Sequence, residues 1–456
     1  MKRPATLKKP SASFHKKIHK DGKNKCSFVF PSDECPVCHK KLFIRQEKIV
    51  DAILIGAETI TDVNTVSKQC NMCRNTVRHN LVTLGKELVN TMSLEEMRTT
   101  GAFFVTSKTA FSIPFLELTY LRLLRGKLAP GQEAAVLQLY HVGDDRLPTG
   151  RRLRELLLRA LEGFAVAQRT PKQASNFNMA YPAAHLTKMD KVLLFPPSDA
   201  VDAISFDGHF GIHRGLCPVD PPRTVRLKGH PRKKILREHD RSCTCRSKDS
   251  IRVVLPQRTA GWHFAVDPSS RRVLGAVEHV QNENNKDKVR LLKAVMNMDQ
   301  VEADLLIHDD ICHFQQYASR KKHATDFNSI RYYVVDAFHA PNHKCSKSTW
   351  TPAERRRCRN VRTNVSESFN AWVRSLNFFL NNLRPKSHRF WVQEMCNFYN
   401  NNLQSVPIRI SRRRNVLGRA KKMLKRPAAV QMLKRPAALQ MLKRPAAIQK
   451  RPASSR

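Results

Sequence analysis

The chain has 456 residues, 41% of them hydrophobic, and a formal net charge of +43, so it can bury the cores of two or three domains and carries an extreme positive excess. No run of 18 or more apolar residues is present, which argues against a membrane span, and the leading MKRPATLKKPSASFHKK lacks the apolar centre of a secretory signal. Twelve cysteines in such a chain read as reduced thiols and metal ligands rather than a disulfide framework, which points to the cytosol or nucleus.

In chain order, residues 1–25 read as a disordered basic tail with nine Lys and Arg against one acid. Residues 405–456 carry sixteen against none, so 19 of the net positive charges stay on the body between. A tail-only excess can be a solvated appendage, but a basic body argues for a polyanionic partner, above all nucleic acid.

Residues 26–80 read as a cysteine module. Cys35-Pro36-Val37-Cys38 and Cys70-Asn71-Met72-Cys73 are two Cys-x-x-Cys knuckles with 31 residues between them. Together they supply four thiolates to one tetrahedral Zn²⁺, a closed and therefore structural site. A single Cys-x-x-Cys would read as a redox pair, whereas two around a β-rich segment at 49–55 fit a zinc ribbon. Cys26 and His39 are near enough to be alternative ligands.

Residues 81–200 read as a helical region followed by a loop-rich connection. Leu118, Leu121, Leu124 and Leu128 recur at helical spacing, as do Leu153, Leu156, Leu157, Leu158 and Leu161, and such stripes are usually core. Pro130-Gly131, Gly143 and Pro148-Thr149-Gly150 punctuate the region.

From 201 to 403 the pattern becomes α/β. A strand over 203–210 is followed by a hairpin at 261–267 and 273–280, a helix over 284–301, strands at 303–309 and 331–336, and a helix over 364–382. Three strands, then alternating helices and strands, is the order of an RNase H-like mixed sheet. A basic insert at 218–258, with Arg226, Lys228, Arg232, Lys233, Lys234 and Arg237, interrupts it and reads equally as a DNA-contacting loop or a solvated excursion.

Three carboxylates fall at suggestive places on that frame. Asp207 lies in the first strand, Asp309 or its neighbour Asp310 ends the fourth, and Glu367 lies in the first turn of the late helix. Such acids hold two Mg²⁺ or Mn²⁺ ions that clamp the attacking and leaving oxygens of an in-line phosphoryl displacement. Strand-end Asp is also a common turn residue, so spacing by itself does not separate the two readings. A second candidate zinc set is His339, His343, Cys345 and Cys358, with Cys312-His313 upstream; those residues read alternatively as active-site lining or packed thiols.

Residues 404–456 read as a disordered basic tail. It repeats MLKRPAAVQ, MLKRPAALQ and MLKRPAAIQ before a truncated KRPASS. Proline in each unit breaks any long helix, and nine residues are too few for a solenoid repeat. Lys425-Arg426, Lys434-Arg435 and Lys443-Arg444 resemble the leading half of a nucleoplasmin-type nuclear localisation signal, which implies a nuclear import receptor as partner and a nuclear location. Nonspecific phosphate binding and a low-complexity expansion are the alternatives.

Taken together, residues 26–403 resemble the KDZ (Kyakuja–Dileera–Zisupton) transposases with their associated cysteine-cluster domains. Asp309-Asp310-Ile311-Cys312 fits the family's Asp-x-x-Cys with Asp309 as the second acid. The stretch from Val335 to Cys345 looks like its strand followed by His-x-x-x-His-x-Cys. Asn364-Val365-Ser366-Glu367-Ser368-Phe369-Asn370-Ala371-Trp372 resembles the helix bearing the last acid. The resemblance implies a zinc-binding cluster ahead of a DDE-type core that cleaves and joins DNA with Mg²⁺ or Mn²⁺. The adjacent Asp pair and the basic tails depart from the family pattern. A domesticated descendant that binds DNA or chromatin through zinc without catalysis is the rival expectation, and the sequence leaves the oligomeric state open.

Overall fold

The computed structural model describes residues 25–42, 48–185, 192–216, 258–280, 283–320, 323–337, 339–342 and 352–403. Contacts divide the chain into units Met1–Pro407 and Ile408–Arg456, and all the described residues belong to the first. The KRPAA repeats, most of the basic insert, His343 and Cys345 lie outside them.

The first half builds a nine-stranded sheet. Its strands are β1 (Cys26–Phe28), β2 (Lys48–Ile55), β3 (Ile60–Gln69), β4 (Thr76–Arg78), β5 (Leu81–Leu84), β6 (Glu87–Asn90), β7 (Ala102–Thr106), β8 (Thr109–Ser112) and β9 (Phe177–Asn178). The order is β7-β8-β2-β3-β4-β5-β6-β9, with β1 parallel to β3. Four helices accompany the sheet: α1 (Leu94–Thr100), α2 (Ile113–Leu124), α3 (Pro130–Tyr140) and α4 (Gly150–Gln168).

Two sequence expectations change here. Residues 26–80 are not a self-contained ribbon, because β4 pairs directly with β5 and the sheet continues past residue 80. Residues 81–112, expected to be helical, are mostly strands. Ala102, Phe103, Phe104 and Val105 are all buried, and such a short unbroken apolar run does not distinguish helix from buried strand by period. The Ser93–Glu96 capping box starts α1 and left-handed Gly101 (φ 76°) stops it, leaving the run to extend as a strand.

Within α2 the buried face takes in Leu124 but not the rest of the leucine stripe on that helix. Ile113, Phe115, Leu116, Tyr120, Leu123 and Leu124 are buried, whereas Leu118 and Leu121 are exposed. The aromatic residues set the phase of the helix. In α4, Leu153, Leu156, Leu157 and Leu161 face the core as expected.

The second half builds a six-stranded sheet from β10 (Val192–Leu194), β11 (Val201–His209), β12 (Gly261–Val266), β13 (Val273–His279), β14 (Val301–His308) and β15 (Tyr332–Val335). Its order is β10-β13-β12-β11-β14-β15. The pairs β11–β12, β12–β13 and β10–β13 are antiparallel, while β11–β14 and β14–β15 are parallel. The antiparallel pair β12–β13 needs only a short turn, closed by Asp267 accepting from the backbone of Ser269 and Ser270. The parallel pairs need crossovers, supplied by α5 (Asn285–Met296) and α6 (Ile311–Ala318). Gly215 pairs with Arg258, so the chain leaves for the insert and returns at one pinched point.

Four more helices follow: α7 (Pro352–Arg357), α8 (Val365–Val373), α9 (Asn377–Asn381) and α10 (Pro385–Asn401). The helix expected over 364–382 is thus divided, with a 3-10 turn at Arg374–Leu376 between α8 and α9. The last helix, α10, joins the two halves. Its Trp391 and Phe398 rings meet Tyr120 of α2 at 6.3 and 6.5 Å, and Tyr120 donates to Glu394 at 3.1 Å. On the other side Trp262 Nε1 donates to His388 Nε2 at 3.0 Å, and the Asn400 amide brackets the Val273 backbone at 2.8 and 2.9 Å. One hydrophobic core therefore runs from Phe28 through α4 and α10 into β12 and β13. Among the described residues no helix is long and apolar enough to cross a membrane.

Candidate functional site

Two gatherings of metal-ligating side chains stand out. The first is made of Cys35, Cys38, Cys70 and Cys73, whose sulfurs all lie within 4.8 Å of one another. The two knuckles repeat one backbone design. His39 N donates to Cys35 O at 2.9 Å and Arg74 N to Cys70 O at 2.8 Å, with His39 and Arg74 both left-handed (φ 54° and 57°). Each knuckle closes again where Cys35 N meets Lys40 O at 2.9 Å and Cys70 N meets Asn75 O at 3.0 Å. Backbone N–H groups of Val37 and Cys38 point at the Cys35 sulfur, and those of Met72 and Cys73 at the Cys70 sulfur.

The separations fit a metal rather than disulfides. Cys35 and Cys73 sulfurs are 3.6 Å apart and those of Cys38 and Cys70 3.7 Å, far beyond the roughly 2.05 Å of an S–S bond. A tetrahedral ion holding sulfur at about 2.3 Å separates its ligands by about 3.8 Å, so the cluster can hold a metal of the zinc type. Burial pushes the Cys35 thiol up to about 12, while backbone donors, acting against desolvation, bring Cys70 down to about 7. Crowded thiols without a cation do not all ionise together; a bound cation would let them.

The second gathering forms where β11, β14 and α8 meet. Asp207, near the end of β11, and Asp309, just past the end of β14, share a cluster with His308 whose ligand atoms lie within 4.8 Å. Parallel pairing of β11 with β14, Ser205 opposite Ile307, brings the two strand ends together. Helix α8 is fixed across them, with Ser366 Oγ 2.8 Å from Ser205 Oγ and Asn370 Nδ2 donating to Asp207 Oδ2 at 2.9 Å. Glu367 lies three positions before Asn370 on that helix, and its charge acts on Asp207. The Asp207 carboxyl, whose other oxygen accepts from Gly208 N at 2.7 Å, is raised well above the usual carboxylate range by desolvation, then by the charges of Asp309 and Glu367. Gly261 presses on the end of β11: its φ of 143° suits glycine, and an added Cβ would lie 2.8 Å from His209 O.

The adjacent acids separate. Asp309 joins Asp207, whereas Asp310 clusters with Cys312 and His313. Burial pushes the Asp310 carboxyl up to about 6, with the neighbouring His313 acting against it. His339 lies against the acids, its Nε2 3.6 Å from Glu367 Oε1 and its Nδ1 3.7 Å from Asp336 Oδ2. Cys358 instead packs with Tyr332 and Val361 beside the strand core, and burial pushes its thiol up to about 11. Neither joins a cluster of three or more metal-capable side chains among the described residues.

Behind the acids lies a polar network with no separate sequence signal. Lys288 on α5 is buried, its Nζ 2.7 Å from Glu283 Oε1 and 2.9 Å from His308 Nε2. An ammonium only donates, so the His308 proton sits on Nδ1 and is given to Phe206 O at 2.8 Å. Burial and then the Lys288 charge push His308 down to about 4. With both nitrogens engaged, His308 has no lone pair for an ion held by Asp207 and Asp309. The donors left are carboxylate oxygens, the set that suits hard ions such as Mg²⁺ or Mn²⁺.

Comparison of the chain with family models, with curated proteins and with solved structures finds no match.

Proposed function

We propose that this protein is a metal-dependent DNA strand transferase of the DDE type, with an RNase H-like core and a KDZ-like arrangement of motifs. The observation that carries the reading is the gathering of Asp207 with Asp309, within reach of the Glu367 charge, on a sheet in which the three antiparallel strands β13-β12-β11 are followed by parallel β14 and β15. That order, with acids on the first strand, beyond the fourth and on a late helix, supports polynucleotidyl transfer over a generic α/β fold.

Asp207 and Asp309 would hold the divalent ions, with Glu367 completing the set. Bound there, the ions lower the pKa of an attacking water or 3′-hydroxyl and stabilise the departing oxygen. The chain's own groups do the positioning. Gly208 N–H and the Asn370 amide orient the Asp207 carboxylate, and the Ser205–Ser366 contact holds α8 against β11. Zinc on the four thiols would be structural, and the basic body would grip DNA through its phosphates. The KRPAA repeats are read as import signals for a nuclear location.

The test uses the full-length, zinc-loaded protein with supercoiled plasmid and a short duplex bearing a free 3′-hydroxyl, in Mn²⁺ or Mg²⁺. Wild type should nick and join, and Asp207→Asn should reduce both by roughly 1000-fold, equivalent to about 4 kcal/mol of barrier. Nicking that survives Asp207→Asn sinks the assignment. DNA binding indifferent to divalent ions, with no cleavage, supports the non-catalytic descendant instead. Hydrolysis without joined product narrows the activity to a nuclease.

A further inference from the structure

A three-ligand cage stands beside the acids that strand transfer does not itself use. Ligand atoms of His263, Glu283 and His308 lie within 4.8 Å of one another. Two imidazoles and a carboxylate are a donor set that binds Zn²⁺. The space among them already holds a positive charge, because Lys288 Nζ is 2.7 Å from Glu283 Oε1 and 2.9 Å from His308 Nε2, in a side chain only 3% exposed.

The third wall also presents an acceptor. The Asp287 carboxylate takes the Nδ1 proton of His279 at 3.2 Å, and with its proton there the ring accepts at Nε2 from His263 Nδ1 at 2.7 Å. That assignment leaves a lone pair on His263 Nε2. This atom is fully buried, has no hydrogen-bond partner and sits 3.6 Å from Glu283 Oε1. A buried imidazole nitrogen with no hydrogen-bond partner, beside a carboxylate oxygen, is the state of a ligand awaiting a cation.

We propose that His263, Glu283 and His308 form a latent transition-metal site whose resident cation is the Lys288 ammonium, and that Lys288 thereby excludes zinc-class ions from the space behind Asp309. An ammonium is tethered, cannot be chelated away and supplies one positive charge where a metal would supply two. The neighbouring acids then remain a separate, all-oxygen site for hard ions; this last link rests on the strand-transfer reading, whereas the cage does not.

The experiment counts zinc per chain in the full-length protein after dialysis from excess zinc. Lys288→Ala should hold one more equivalent than wild type, and Lys288→Ala with His263→Ala should return to the wild-type count. Zinc should raise the melting temperature of Lys288→Ala and not that of the double variant, a response that loss of packing would not produce. If Lys288→Ala folds only with metal present, rescue by zinc and not by Mg²⁺ supports the cage. An unchanged count in both Lys288→Ala and Lys288→Gln overturns it, as does an extra equivalent that persists without His263. None of these readouts involves DNA, so a failed strand-transfer assay and a failed cage remain distinguishable.

Discussion

The four thiols and the three acids are both gatherings of metal-ligating side chains, yet the chain assembles them in opposite ways. Each cysteine pair is positioned within six residues, by a turn whose N–H groups already point at sulfur and whose closing bonds recur in both knuckles. The acids come from elements up to 160 residues apart, Asp207 on β11 and Glu367 on α8, and meet only after the sheet and helix have packed. The thiol site is local geometry waiting for an ion. At the acid site the packing must overcome desolvation of the carboxyls and then their mutual repulsion, which is why Asp207 is driven well above its ordinary value. Metal at the first should therefore govern folding, and metal at the second chemistry.

The widest separation of the two should come from removing a thiol. Cys70→Ser, followed by thermal melting and zinc analysis, should fail to hold zinc at the four-thiol cluster and lose at least about 4 kcal/mol of stability, given that structural zinc contributes roughly 10–16 kcal/mol in small peptides. A variant that melts like wild type would place the fold's strength elsewhere. A buried carboxylate with no cation role sharpens the contrast. Glu162 on α4 is pushed up to about 7 by burial, and one of its oxygens has no hydrogen-bond partner. Its folded value lies above its unfolded 4.5, so the unfolded chain ionises first and stability falls as pH rises from 4.5 to about 7. Glu162→Gln should abolish that decline, gaining up to about 3 kcal/mol at pH 8 and little at pH 4.5, with or without Mn²⁺.

Asp207→Asn should also show a gain in metal-free buffer, because it removes a carboxyl whose charged form is opposed by desolvation and then by its acidic neighbours. That gain should shrink when Mn²⁺ is added, since only wild type has the ligand to answer it; equal melting shifts with and without Mn²⁺ would make Asp207 a second Glu162. The smallest effect belongs to the knuckle turns. Arg74→Gly relieves a left-handed residue (φ 57°) and should stabilise by about 0.5–1 kcal/mol while leaving zinc content unchanged, as read by denaturant midpoint.

What was legible in the sequence follows the same division. The cysteine knuckles are visible because their geometry is written in consecutive residues. The strands carrying Asp207 and Asp309 are visible as apolar runs, but the choice between Asp309 and Asp310 depends on how the turn after β14 rotates, which no periodicity encodes. The Lys288 cage was illegible because His263, Glu283, Lys288 and His308 sit on different elements and become neighbours only through sheet register and the seating of α5. Leu118 and Leu121 misled for a related reason: the aromatic side chains of α2 fill the space under α10 and turn those leucines outward. The ribbon boundary at 80 failed because a sheet can continue through a segment whose composition changes.

The seating of α10 between Tyr120 and Trp262 has a consequence for synthesis. The apolar face of α2 and α4 is complete once Gln168 is made, but the helix that covers it begins at Pro385, roughly 200 residues later. At about 5–20 residues per second a ribosome takes on the order of 10–40 s to supply it. During that interval the nascent first half must keep its unfinished surface from other chains, by chaperone or by transient self-cover. A fragment beginning near residue 201 faces the mirror-image problem, carrying α10 with nothing to lie against.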